Sequence, residues 1–74
     1  MKITIKLFAR YRIGRFTEAV RDYPAGFSVG DLLQTLDLAG KPPGILLLNG
    51  MPVVPDTELH DGDTLALFPL VSGG

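Results

Sequence analysis

The sequence predicts an α+β layer pair, a small mixed sheet of four to five strands covered on one face by one main helix. Three observations carry this reading. Apolar and polar residues alternate near both ends of the chain, a single amphipathic stripe of helical period lies between them, and two tight-turn signals divide the second half. At 74 residues the chain is one domain, near the size at which a single core just suffices.

The elements follow in order. Ile3, Ile5 and Leu7 alternate with Lys2, Thr4, Lys6 and Phe8, the period of a half-buried strand. Gly14 marks a turn or loop. Residues 17–23 read as an edge strand, with Val20 and Tyr23 as its best strand formers and charges between them. Ser28 followed by Asp31 predicts a helix start: the hydroxyl accepts a free backbone N–H, and the acid sits at the positive end. Val29, Leu32, Leu33 and Leu36 make the apolar stripe, Gly40 is the expected left-handed stop, and Pro42-Pro43 cannot continue a helix. Residues 45–48 read as a strand, Asn49-Gly50 as a hairpin turn and residues 51–54 as the return strand. Asp61-Gly62-Asp63 is a second turn, and residues 64–70 form the last strand. Residues 1–71 therefore make the folded body, and Ser72-Gly73-Gly74 is a flexible tail with nothing to pack.

Composition excludes several function classes. There is no cysteine, which removes disulfides, thiolate metal sites, iron–sulfur clusters and thiol nucleophiles. A formal charge of −1 gives no global attraction to nucleic acid or anionic lipid. Apolar runs such as residues 45–48 are too short to cross a membrane, and the alternating start reads as a strand instead of a signal peptide. A cytoplasmic protein is expected, with no nucleic-acid or membrane partner.

The titratable residues form no chemical constellation. His60 stands alone beside a turn and reads as solvated. Asp56, Glu58, Asp61 and Asp63 do not match calcium-loop spacing, and Gly40-Lys41 lacks the glycine a phosphate loop requires. No side chain is read as catalytic and none as a metal ligand. Arg10, Arg12 and Arg15, interleaved with Tyr11 and Phe16, suggest a nucleic-acid contact only weakly. A solvated loop, or one that docks on an acidic partner, fits the slightly acidic chain better.

Two features remain. If Ile3, Ile5 and Leu7 face the helix, alternation sends Phe8 to the other face, and the same argument with Leu65 and Leu67 sends Phe68 there. An exposed aromatic patch marks a partner site, and Met51-Pro52 extends it. The alternative is a bulge that tucks one ring into a minor core. The second feature is the tail. Glycine has no Cβ, so Gly73-Gly74 can thread a narrow channel, and the carboxylate of Gly74 is unhindered. Five residues beyond Pro69 reach at most about 17 Å, enough to enter a partner's buried site while the body stays outside.

Several of these residues together resemble a known family. Lys6-Leu7-Phe8-Ala9 with Arg12, Leu32-Leu33, and a Leu-rich strand ending in Asn49-Gly50 are part of it. The most specific piece is Leu59-x-Asp61-Gly62-Asp63-x-Leu65-x-Leu67-Phe68-Pro69-x-Val71-x-Gly73-Gly74. The chain resembles the ubiquitin-like β-grasp sulfur carriers of the MoaD/ThiS family, typified by the small subunit of molybdopterin synthase and the thiamin sulfur carrier. Phe68-Pro69 and the length look more like the molybdopterin branch, and Ser72 stands where alanine is frequent in relatives.

The resemblance implies a carrier and not an enzyme. An E1-like adenylating enzyme would spend ATP on Gly74, and a sulfur donor protein would displace AMP to leave a thiocarboxylate. A large synthase subunit would then take the sulfur for molybdopterin, the enzyme being that complex. No bound cofactor is implied. Phe8, Phe68, Leu70, Val71, Met51, Pro52 and Arg12 are the implied partner contacts. Delivery to thiamin thiazole or another metabolite stays open. So do a protein modifier joined through Gly74 to target lysines, and a noncovalent module with an inert tail.

Overall fold

The structure, a computed structural model, describes residues 1–37 and 44–69. Five strands build one mixed sheet: β1 (Lys2–Leu7), β2 (Glu18–Asp22), β3 (Ile45–Leu48), β4 (Met51–Pro52) and β5 (Thr64–Phe68), in the spatial order β2-β1-β5-β3-β4. The central pair, β1 and β5, runs parallel, with Ile5 opposite Leu65 and Leu7 opposite Leu67. All other pairs are antiparallel. Alternation sends Ile3, Ile5, Leu7, Leu65 and Leu67 to one face, where α1 (Val29–Thr35) covers them with Val29, Leu32 and Leu33; Leu36, just past its end, completes the cover. The core so formed also holds Leu46 and Leu59, together with Tyr11 and Tyr23, two tyrosines that the sequence reading left on loop and edge.

The helix begins where the sequence places it. Ser28 is extended at the N-cap; its Oγ accepts the Asp31 N–H at 3.1 Å, and the Asp31 carboxylate accepts the Ser28 N–H at 3.0 Å. The N–H groups of Val29 and Gly30 donate to the carbonyls of Thr57 and Pro55 at 2.9 and 2.8 Å, so the segment after β4 closes the rest of the first turn. The end differs from expectation. The helix stops at Thr35 and Asp37 takes the left-handed conformation (φ 60°), ahead of Gly40, which lies outside the described residues. The last turn tightens, with Leu36 and Asp37 donating to Leu33 and Gln34, and the Thr35 hydroxyl competes for the Leu32 carbonyl at 2.6 Å.

Three strands are shorter than predicted: β2 loses one residue at each end of the expected 17–23, and β4 and β5 are also cut back. β4 holds only Met51 and Pro52 instead of residues 51–54, because Pro52 has no N–H to extend the ladder, although Val53 still donates to Leu46 at 3.0 Å. β5 ends at Phe68, before Pro69. The two turns hold as read. Asn49 (φ 52°) and Gly50 (φ 84°) are both left-handed, as a two-residue hairpin requires, and Gly62 has φ 87°.

Candidate partner-docking site

The helix-free face of the sheet is divided by charge. On its β2 side the register sets Lys2 opposite Asp22, Thr4 opposite Val20 and Lys6 opposite Glu18, an acid–base checker of low net charge. Toward β3 and β4 the same face is apolar. Leu46 is buried, so its neighbours Ile45 and Leu47 turn outward; they lie opposite Phe68 and Ala66, and Leu47 lies opposite Pro52.

Phe8 and Phe68 anchor this apolar half. Phe8 follows β1 in extended conformation (φ −118°, ψ 153°), and its N–H donates to the Leu67 carbonyl at 3.2 Å, which carries the alternation one residue past the strand. Its ring stacks on that of Phe68 with centroids 4.2 Å apart and planes 9° from parallel. Phe8 is 37% exposed and Ile45 52%, whereas Phe68 is half-buried between them. Ala9 (φ 53°) then turns the chain into a 3-10 turn, Ala9–Arg12. Phe8, Phe68, Ile45, Ala66, Leu47 and Pro52 thus form one strip at the end of the sheet where β5 leaves.

The remaining predicted contacts scatter. Met51 is 67% exposed, but it lies opposite Leu48, which packs toward the core, so the register sets it on the helix side and not in the strip. Arg12 is exposed, and its Nε donates to the Ala9 carbonyl at 3.4 Å. Leu70, Val71, Gly73 and Gly74 lie outside the described residues. The alternation of the strip was invisible in sequence because Ile45 to Leu48 is apolar throughout; only the register tells outward Ile45 and Leu47 from inward Leu46 and Leu48.

The arginine-rich segment does not form a base-stacking surface. Tyr11 is buried in the core, and Phe16 lies half-buried beneath the Arg21 guanidinium, 4.6 Å from the ring centroid. Arg15 reaches the end of α1, donating from Nε to the Leu36 carbonyl at 3.3 Å and from a terminal nitrogen to the Tyr11 carbonyl at 3.4 Å. A cation there meets the negative end of the helix. The acids of the second turn are also structural. Asp61 accepts the Lys2 N–H at 2.7 Å, and Asp63 accepts the His60 N–H at 2.8 Å and the Asn49 side-chain amide at 2.9 Å. The His60 side chain is exposed. Among the described residues no group of three His, Asp or Glu side chains could hold a metal ion.

The stacked aromatic pair in its apolar strip is the candidate docking surface. The ThiS family model matches residues 5–74. The chain belongs to the ThiS family. Among solved structures, SAMP1 from Haloferax volcanii is 30% identical over 100% of both chains, with a TM-score of 0.79. A putative molybdopterin converting factor subunit 1 from Pyrococcus furiosus is also 30% identical, over 96% of this chain and 99% of that one, with a TM-score of 0.78. A chain of the complex between subunits 1 and 2 of the molybdopterin-converting factor of Helicobacter pylori has the same fold (TM-score 0.69, 21% identity, 100% of both chains). The ThiS-family member described here is therefore a ubiquitin-like β-grasp protein of the sulfur carrier or modifier kind.

Proposed function

We propose that the chain is a sulfur carrier whose C-terminal Gly74 is adenylated and converted to a thiocarboxylate that donates sulfur in molybdopterin biosynthesis. The observation that carries this reading is the family match through residue 74, which includes Gly73-Gly74, joined to an apolar strip at the end of the strand that leads to them. In the activating step a Gly74 carboxylate oxygen attacks the α-phosphorus of ATP, pyrophosphate leaves, and an acyl-adenylate forms on an E1-like enzyme. Sulfide from a donor protein then attacks the acyl carbon and AMP leaves. Where the donor carries a persulfide, the acyl disulfide first formed is cleaved by a second donor thiol, which releases the thiocarboxylate and leaves the donor as a disulfide. The sulfur resides on the terminal carbon, so a chain without cysteine suffices. The chain's own residues supply recognition: Phe8 and Phe68 seat the body, Arg12 flanks them, and Leu70, Val71 and the two glycines run into the partner's site.

The name of the Pyrococcus furiosus relative favours the molybdopterin branch, and the Helicobacter pylori complex is an instance of a small subunit on a large one. The second reading is a protein modifier, after SAMP1, the small archaeal modifier protein 1 of Haloferax volcanii. Both readings begin with adenylation and part at the fate of the acyl group. Intact-mass analysis of the protein from its native host decides between them. A carrier shows one terminal oxygen exchanged for sulfur. A modifier shows isopeptide bonds from Gly74 to target lysines with no sulfur exchange, and that result would overturn the carrier reading.

A further inference from the structure

Asn49 carries more chemistry than its turn requires. It precedes Gly50, whose missing Cβ leaves the backbone nitrogen open to the side-chain carbonyl carbon of Asn49. A Cβ at Gly50 would meet nothing within 4 Å, so this side of the turn faces water. Against this openness, the Asn49 amide is held at both ends. Nδ2 donates to Asp63 Oδ1 at 2.9 Å, and Oδ1 accepts the Thr64 N–H at 2.9 Å. The Asn49 N–H donates to the Thr64 carbonyl at 2.8 Å. The side chain therefore clamps the β3–β4 hairpin to the start of β5. Asp63 passes the clamp on, since its other carboxylate oxygen holds the His60 N–H and its carbonyl accepts the Thr4 N–H at 3.0 Å.

We propose that Asn49 is a site of spontaneous covalent modification, an amide that cyclises onto the Gly50 nitrogen when this clamp opens and whose product frees the start of β5. The Gly50 nitrogen gives up its proton to solvent and bonds to Asn49 Cγ, the Cγ–Nδ2 bond breaks, and ammonia leaves. Water then opens the five-membered imide at either carbonyl, giving aspartate or isoaspartate, with no oxidant and no cofactor. The aspartate product replaces a donor with a second carboxylate against Asp63, so a hydrogen bond becomes a like-charge contact. The isoaspartate product adds a backbone carbon to a two-residue turn, whose length fixes the register of the hairpin. Either way the damage falls on the strand that leads to the tail, and the inference holds whether or not the tail carries sulfur.

The test is peptide mapping across residues 49 and 50 after incubation at mildly alkaline pH, for the parent and for Asp63→Ala, with circular dichroism confirming that both stay folded. Conversion is expected to be about fivefold faster in Asp63→Ala, the change in opening expected from one lost hydrogen bond. Equal rates in the two proteins, or no conversion in Asp63→Ala, overturn the proposal. If Asp63→Ala does not fold, the decisive comparison is thermal melting of Asn49→Asp against Asn49→Asp with Asp63→Asn. The single variant should melt below the parent and the double variant should regain most of the loss. A single variant that melts with the parent, or a double variant that regains nothing, overturns it equally.

Discussion

Replacing Phe68 by aspartate separates the free protein from its complexes. In the free protein the substitution removes a ring stacked at 4.2 Å on Phe8, a geometry that contributes about 0.5–1.5 kcal/mol beyond burial. A half-buried phenylalanine also forfeits roughly half of the 1.5–3 kcal/mol assigned to a fully buried one. The sum is roughly 2 kcal/mol, which lowers the melting temperature of a domain this size by about 10 °C. A stability of about 5–10 kcal/mol leaves the variant folded at room temperature. In a complex that covers the strip, the new carboxylate loses its water with no counter-charge nearby, at a cost of about 3–5 kcal/mol. Kd with the activating enzyme or large subunit should therefore rise about a hundredfold or more. Melting followed by circular dichroism and calorimetric titration read the two effects separately. Val20→Asp, on the charged half of the same face and 62% exposed, is the control and should change neither quantity much. A parent-like Kd for Phe68→Asp would refute the docking assignment and move it to the 3-10 turn that carries Arg12. Unfolding at room temperature would make the ring pair a structural element instead.

Three further outcomes are expected. Deleting Gly74 should abolish ATP-dependent adenylate formation and leave the melting temperature unchanged; a deletion variant that is still adenylated contradicts the carrier reading. Leu33 is 3% exposed beneath the helix, so Leu33→Ala should cost roughly 2–5 kcal/mol in urea titration. Arg15→Ala should cost about 1–2 kcal/mol through the lost bond to the end of α1, whereas Arg12→Ala should leave stability near the parent's; equal losses in denaturant melts would show that Arg15 has no capping role.

Local signals translated faithfully into structure. The Ser28–Asp31 spacing gave a reciprocal cap, and Asn49-Gly50 gave a turn with two left-handed residues, because each is decided within four residues of chain. The alternation of β1 and β5 likewise placed Phe8 and Phe68 on one face. What was hidden depends on partners distant in sequence. Tyr11 and Tyr23 enter the core because the first loop and the end of β2 fold over the sheet. Arg15 leaves the arginine cluster because the Leu36 carbonyl, just past the end of α1, lies within its reach. Ile45 and Leu47 could not be told from Leu46 and Leu48 until β5 fixed the register, and that same register takes Met51 out of the strip.

The place of β5 bears on how the chain reaches its native state. β1 and β2 form one hairpin-like pair, β3 and β4 another, and among the described residues no hydrogen-bonded ladder joins the two pairs except through β5. The last strand to be synthesised among the described residues is therefore the one in the middle. Its pairing with β1 spans nearly the whole sequence, the kind of distant contact that slows folding and makes it all-or-none. Phe68 meets Phe8 only at that step, so the aromatic pair exists only in a molecule whose sheet has closed. A partner that reads the pair is, in effect, inspecting the finished fold before it engages the residues that follow.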